Sequence, residues 1–196
     1  MKTLKEIISQ FVSINETEWK LATKILKIRY YKKGDIICYQ DDIWTDFIFI
    51  NSGLIRSYII NDEGKDFTRQ FYFNTPESNI INLFVTDLTS LVTEVPSCRG
   101  FEVLIDSEVT VYSKEDLAYL IKLSKKYLQL VKTLMELAYL NTDNDYHNLL
   151  TRNNKDRYMY LQKTMPSLLE KVPQYHIATY LGMTPVSLSR IKQKLK

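Results

Sequence analysis

The chain has 196 residues, 45% of them hydrophobic, so it can bury a core and is long enough for two small domains. Its two cysteines cannot build a disulfide framework or a cysteine-rich metal site. No apolar run approaches ~18 residues, and the amino terminus lacks a basic-then-apolar signal, so we expect a reduced, cytoplasmic protein with no membrane partner.

Helices and then strands are predicted in the first half of the chain. Residues 4–29 have the apolar spacing of two helices, the second beginning at a capping box formed by Ser13 and Glu16. From Tyr30 the pattern changes to short β-rich runs between turn residues. The predicted strands are 35–39, 46–50, 54–60, 67–73, 102–105 and 109–112, and 79–91 is predicted as a short helix plus loop. Evenly spaced short strands favour an antiparallel sandwich or roll.

A long helix is predicted next, from Lys114 to about Asn141, with Ser113 as its cap. Its apolar residues form two stripes, so it must be covered on two sides. One side is expected to pack on the roll and the other on the same helix of a second copy, which predicts a homodimer. The alternative is a helix buried within one chain. A connector and a helix over 154–164 are expected to follow.

The final stretch, 174–196, has the pattern of a helix-turn-helix. A first helix is expected to end at a tight turn at Gly182, and Ala178 is small enough to let the two helices cross closely. The second helix is expected to begin at Thr184 as N-cap, with Pro185 at the first helical position, where its missing N–H costs nothing. Such a pair places its second helix in the DNA major groove.

Charge is distributed unevenly along the chain. The overall net charge is +3, but residues 146–196 carry nine Lys or Arg against two acids, a net +7, and the first 145 residues carry −4. A basic end on an acidic body is expected of a phosphate-binding module joined to a part that does not touch DNA. The plain alternative is a solvated basic tail.

This order of parts resembles the Crp/Fnr family of bacterial transcription regulators over roughly residues 5–196. The strongest match is Ile177-Ala-Thr-Tyr-Leu-Gly-Met-Thr184 followed by Val186-Ser-Leu-Ser-Arg190, which is similar to the family's Ile-Ala-x-x-Leu-Gly-x-Thr and a recognition helix ending Val-Ser-Arg. The resemblance implies an α+β fold: an N-terminal antiparallel β-roll of the double-stranded β-helix or jelly-roll type with flanking helices, a long dimerisation helix and a C-terminal helix-turn-helix. The predicted domains are 1–113 (cyclic-nucleotide-binding-like sensor), 114–141 (dimerisation helix) and 142–196 (DNA binding).

The resemblance also implies which residues contact DNA. Arg190 matches the family's base-reading arginine and can pair with guanine O6 and N7, the alternative being a contact to phosphate alone. Pro185 and Val186 stand where the family often has an Arg-Glu pair, so a different recognised sequence is expected. The predicted DNA-binding residues are Gln174, Tyr175, Thr184, Pro185, Val186, Ser187, Ser189, Arg190, Lys192 and Lys194.

The effector pocket implied by the resemblance is expected to be degenerate. Family members that bind cyclic nucleotides hold the ribose with a Gly-Glu pair and the cyclic phosphate with an Arg-Ser or Arg-Thr pair. The first pair is absent here, and Pro96 stands where an arginine should precede Ser97. Because a buried phosphate needs a paired cation, cyclic AMP binding is not expected. Ser97 and Arg99 are the residues that remain for an effector.

These observations predict a regulator and not an enzyme. Two cysteines cannot hold the iron–sulfur cluster of one branch of the family, and neither histidine lies in a nucleophile or metal motif, so no cofactor, catalytic or metal site is predicted. The predicted function is sequence-specific DNA binding by a homodimer on an inverted-repeat operator, with an unidentified small-molecule effector and RNA polymerase as candidate partners. The alternative is a sensor or protein-interaction module whose basic end binds nucleic acid only nonspecifically.

Overall fold

The structure, a computed structural model, describes residues 1–195. Two short helices open the chain, α1 (Leu4–Ser9) and α2 (Glu16–Ile25). The N-cap of α2 is Asn15, whose side chain accepts from the Glu18 N–H while the Glu18 carboxylate accepts from the Asn15 N–H, both at 2.9 Å. The capping box expected at Ser13 is therefore wrong, because the box forms two residues later, between Asn15 and Glu18.

Six antiparallel strands follow in one open sheet. They are β1 (Lys27–Tyr31), β2 (Ile36–Cys38), β3 (Asp46–Ile60), β4 (Asp66–Phe73), β5 (Phe84–Val85) and β6 (Gly100–Ser113). The order is β1-β6-β3-β4, with β2 also paired to β6 and β5 to β3. The predicted α+β fold is confirmed, and the sheet is open. We call residues 27–113 the roll.

Two strands are longer than predicted. The runs 46–50 and 54–60 form the single strand β3, and 102–105 and 109–112 form β6. At Gly53 the backbone takes a φ of 98°, and the register of β3 against β6 shifts on either side of it. The turn signal at Gly53 thus marks a bulge, which bends a strand without ending it. The segment predicted as helix plus loop holds a 3₁₀ turn, β5 and α3 (Leu88–Thr93).

The single helix predicted from Lys114 to about Asn141 is wrong. The chain forms α4 (Lys114–Leu123) and then α5 (Lys125–Thr151), which is 27 residues long. Ser124 separates them with an extended backbone, φ −152° and ψ 133°. Its N–H donates to the Leu120 carbonyl and its hydroxyl accepts from the Lys126 N–H at 3.4 Å, so one residue ends the first helix and caps the second.

Four helices complete the chain: α6 (Asn154–Thr164), α7 (Pro166–Lys171), α8 (Gln174–Tyr180) and α9 (Pro185–Lys194). The bounds of α6 are those predicted. We call residues 153–195 the head. Its core is continuous with apolar side chains of the roll, since Phe71, Phe73 and Leu54 share a buried cluster with Leu161 and Ile177. Within residues 1–195, no helix has both the length and the apolar character needed to cross a membrane.

Candidate nucleic-acid interface

The helix-turn-helix forms where the sequence predicts it. Gly182 has a φ of 67°, a left-handed conformation that glycine adopts without steric cost. The Met183 N–H donates to the Ala178 carbonyl at 2.9 Å, which closes the turn. The side chain of Thr184 accepts from the Ser187 N–H at 3.2 Å, as expected of the N-cap.

Apolar contacts hold α8 and α9 together and leave one face of α9 open. Ala178 is completely buried, and Ile177 and Leu188 are almost so. The opposite face of α9 presents its predicted base-reading side chains to solvent: Arg190 is exposed, and Val186 is 60% exposed. An exposed, capped second helix is the arrangement that a major-groove reader requires.

A basic cleft adjoins α9 on the side of the α5–α6 junction. It has a volume of about 530 Å³, and its lining includes four cationic side chains and no carboxylate. These cations are Arg152, Lys155, Arg157 and Arg190. Three of the four were not predicted as DNA contacts. The available signal was the excess of positive charge after residue 146, which marks a region without saying which residues converge on α9.

The predicted DNA-binding residues occupy four places. Ser187 and Arg190 line the basic cleft, and the first turn of α9 carries Thr184, Pro185 and Val186, all exposed, with exposed Ser189 following. Lys194 is exposed and Lys192 half-buried near the end of α9. Gln174 and Tyr175 lie at the start of α8. Tyr175 contacts the roll, since its hydroxyl donates to the Asp66 carbonyl at 3.2 Å.

A buried ion-pair network of the roll lies against α8. Arg56 is 4% exposed, with its guanidinium 2.5 Å from the Asp66 carboxylate and 2.7 Å from that of Glu102. His176 of α8 sits beside this network with its Nδ1 buried and without a hydrogen-bond partner in residues 1–195. Burial and the positive charge of Arg56 lower the pKa of His176 below its ordinary value. The imidazole is therefore held in its neutral form at neutral pH.

Of the two residues predicted for an effector, only one lines a cavity. A cavity of about 340 Å³ lies between the roll and α5, and Arg99 lines it. Ser97 does not, because it is 1% exposed with its hydroxyl 2.6 Å from an Asp87 carboxylate oxygen. The same carboxylate lies 3.4 Å from the Arg99 Nε. Sequence reasoning missed Asp87 and Arg69, which also line the cavity.

The described residues offer little for metal or thiol chemistry. Residues 1–195 contain no group of three or more His, Cys, Asp or Glu side chains that could hold a metal ion. Cys38 is buried and Cys98 exposed, and both are free thiols. Burial raises the pKa of the Cys38 thiol to about 11, so it is protonated and unreactive at neutral pH.

Comparison with known proteins gives structural likeness only. No family model and no curated protein sequence matches the chain. The c-di-GMP-responsive global regulator CLP of Xanthomonas campestris is 14% identical and superposes with a TM-score of 0.72, over 92% of this chain and 91% of its own. FixK2 of Bradyrhizobium japonicum is 19% identical and superposes with a TM-score of 0.69, over 87% of this chain and 84% of its own.

A third solved structure carries the family name. It is a protein of Eubacterium rectale assigned to the Crp/Fnr family of transcriptional regulators, 20% identical, with a TM-score of 0.68 over 92% of this chain and 83% of its own. Together with the antiparallel roll, the long helix and the terminal helix-turn-helix, these superpositions show that the chain has the fold of the Crp/Fnr regulators.

Proposed function

We propose that the chain is a homodimeric, sequence-specific DNA-binding transcription regulator. The observation that carries this proposal is the basic cleft beside α9, where Arg190 lies with Arg152, Lys155 and Arg157. A guanidinium at a helix surface can read a guanine edge, while neighbouring cations hold phosphates on either side. Structural neighbours named as regulators of transcription support the same reading of the head.

A second copy of the chain is proposed to pack along α5. One side of this helix is buried against the roll and α2 through Tyr127, Leu130 and Leu134. A second apolar stripe runs along another side of the helix and is largely open to solvent: Leu128, Tyr139, Tyr146 and Leu150 are each more than half exposed. Such a stripe is the seam of a two-stranded coiled coil. In this proposal α5 is the dimerisation helix. Along the chain it lies between the roll, as the proposed sensor, and the head, as the proposed DNA-binding part.

The cavity between the roll and α5 is proposed not to bind cyclic AMP. Both cations in its wall already face carboxylates, since Arg99 lies against Asp87 and Arg69 lies 3.5 Å from Asp145 of α5. A cyclic phosphate would have to displace one of these carboxylates, and the Ser97 hydroxyl is engaged behind the wall. Removing the partner of a buried charge is costly, which disfavours this anion.

Selection of bound duplexes from a random DNA pool, at two salt concentrations and without added ligand, tests the proposal. A dimer with two helix-turn-helices should enrich an inverted repeat whose half-sites lie one helical turn apart, about 10 base pairs. Binding of the whole pool without enrichment, lost steeply with salt, would instead support a module that binds nucleic acid nonspecifically. RNA polymerase is a further partner that the proposal predicts.

A further inference from the structure

A separate cavity of about 380 Å³ lies where the roll, α5 and the head meet. Its walls come from β4, the second half of α5, α6 and the turn between α8 and α9. Apolar and aromatic side chains form much of the lining: Leu161, Met165, Tyr160, Tyr180 and Leu181. It shares only Arg69 and Thr142 with the cavity between roll and α5, so it is a distinct space.

The charges of this cavity do not balance. Three arginines line it, Arg69, Arg152 and Arg157, but only one carboxylate, Asp145. Asp145 lies 3.5 Å from Arg69, and burial raises its pKa in spite of that neighbour. Neither Arg152 nor Arg157 has a carboxylate within ion-pair distance in residues 1–195. Two guanidinium groups at one end of the cavity are therefore left without a counter-charge.

The contacts of these two arginines show how they are held. The Arg152 guanidinium carbon stacks 4.3 Å from the centroid of the Tyr160 ring. Arg157 donates from one terminal nitrogen to Asn154 and from the other to the Leu149 carbonyl at 3.5 Å. Its Nε is buried and has no acceptor. Each terminal nitrogen carries a second N–H, so Arg157 can still donate to a ligand in the cavity although its Nε is enclosed by the protein.

We propose that this cavity binds a small molecule with one anionic group and an apolar body. The anion accepts from Arg152 and Arg157, because guanidinium groups form strong, often bidentate charge-assisted hydrogen bonds with oxyanions such as carboxylates and phosphates. The body lies among Leu161, Tyr180 and Leu181. A volume of about 380 Å³ falls within the range of small-molecule sites, roughly 300–1,000 Å³.

The ligand is inferred to oppose DNA binding, a step that rests on the proposed function. Arg152 and Arg157 line both this cavity and the basic cleft beside α9. An anion inside the cavity therefore accepts hydrogen bonds from the same two guanidinium groups that would contact a DNA phosphate in the cleft. The two ligands therefore weaken each other's binding by the same factor.

Titration with 8-anilinonaphthalene-1-sulfonate, followed by its fluorescence in the absence of DNA, tests the site. This probe joins one anionic group to an aromatic body. We expect saturable binding at one site per chain. Arg152→Gln should weaken it about tenfold, since it removes a charge-assisted partner. Thr164→Trp, which fills the cavity from α6, should abolish it.

Matched variants locate the probe. Lys155→Gln removes a neighbouring charge that does not line the cavity, and Ala138→Trp fills the cavity between roll and α5 instead. Both should bind the probe as the unaltered protein does. Far-UV circular dichroism checks that each variant folds. Arg152 is only half-buried, so Arg152→Gln still tests the site if the tryptophan variants fail to fold. Equal affinity in the unaltered protein and Arg152→Gln overturns the site, as does loss of binding in Ala138→Trp alone.

A second experiment measures the affinity of the protein for the selected duplex, with and without a saturating concentration of the probe. A lower affinity for the duplex supports the competition, and an unchanged affinity overturns it while leaving the site in place. A protein that binds the probe with the expected pattern of variants but enriches no DNA sequence retains this site and loses the proposed function. The two failures are therefore distinguishable.

Discussion

Thr179 of α8 supplies a hydroxyl oxygen that accepts from the backbone N–H of Thr68 in β4, at 3.2 Å. The two hydroxyl oxygens lie 3.3 Å apart. Strand β4 is the last in the sheet order, so its outward N–H groups have no strand partner. The first helix of the helix-turn-helix thus covers the edge of the roll, and the same helix that supports α9 is fixed to the roll.

Replacing Thr179 by valine should destabilise the protein. Valine has a similar shape but no acceptor, so the buried Thr68 N–H loses its partner. We expect the free energy of unfolding to fall by about 1–3 kcal/mol, measured by denaturant titration. Thr179→Ser keeps the hydroxyl and should retain most of that stability. Equal losses in the two variants would show that packing, and not the hydrogen bond, holds α8 on the roll.

Stability is also expected to depend on pH through His176. Its pKa is lowered in the folded protein by burial and by Arg56, against the opposing charges of Asp66 and Glu102. The unfolded chain therefore binds a proton more readily. The free energy of unfolding is therefore highest above pH 6.5, the ordinary pKa of histidine, where the imidazole is mostly neutral in both states. It falls as the pH drops below 6.5, because the unfolded chain then takes up a proton that the folded protein resists.

Unfolding measured between pH 8 and pH 5.5 checks this expectation. The protein should lose stability across this range, and His176→Gln should lose less, because a neutral side chain leaves no imidazole to protonate. His147, which is exposed on α5, provides the matched control His147→Gln. A pH profile of His176→Gln that parallels the unaltered protein would contradict the assignment.

Local signals explain why the head could be predicted from sequence. Gly182, Thr184 and Pro185 each act on the backbone within one turn, so their order marks the end of one helix and the start of the next in the sequence itself. The helix break at Ser124 has no comparable signal, since the apolar spacing continues across it. The break is held by contacts with α2, since the Ser124 hydroxyl donates to Glu18 at 3.2 Å and the Lys126 ammonium lies 2.9 Å from the same carboxylate. Such tertiary contacts override the local pattern.

The sequence predicts the residues of the candidate site that lie within the helix-turn-helix, but not those that reach it from a distant part of the chain. The exposed positions of α9 could be placed by helical periodicity, as Arg190 shows. Arg152 and Arg157 reach the same cleft from the α5–α6 junction, over thirty residues earlier in the chain. Ser97 is a similar case. Only the fold shows that the Asp87 carboxylate contacts both the Ser97 hydroxyl and the Arg99 guanidinium, so that Ser97 lies behind the cavity wall.

Disrupting the exposed stripe of α5 should yield a monomer. Leu128 is 52% exposed, so Leu128→Glu should leave the fold intact while placing a charge in the proposed seam. We expect the mass in sedimentation equilibrium to halve, and the affinity for an inverted repeat to fall because each half-site binds alone. Leu140→Glu is the control: it lies on the same helix and is 60% exposed, about a third of a turn away from the stripe. A dimer that survives Leu128→Glu and dissociates with Leu140→Glu would move the interface to the other side of α5.

Truncating Arg190 should remove sequence discrimination more than affinity for bulk DNA. Its side chain is exposed on α9 and lines the basic cleft, where it can pair bidentately with a guanine. Arg190→Ala should cost about 1–3 kcal/mol for the selected duplex and relax specificity at one position of each half-site. Lys194→Ala, an exposed cation further along the same helix, should weaken all duplexes alike and reduce the salt slope by about 1. Competition titrations of both variants against selected and scrambled duplexes separate these effects, since an arginine that touches only phosphate would give the same uniform loss as the lysine.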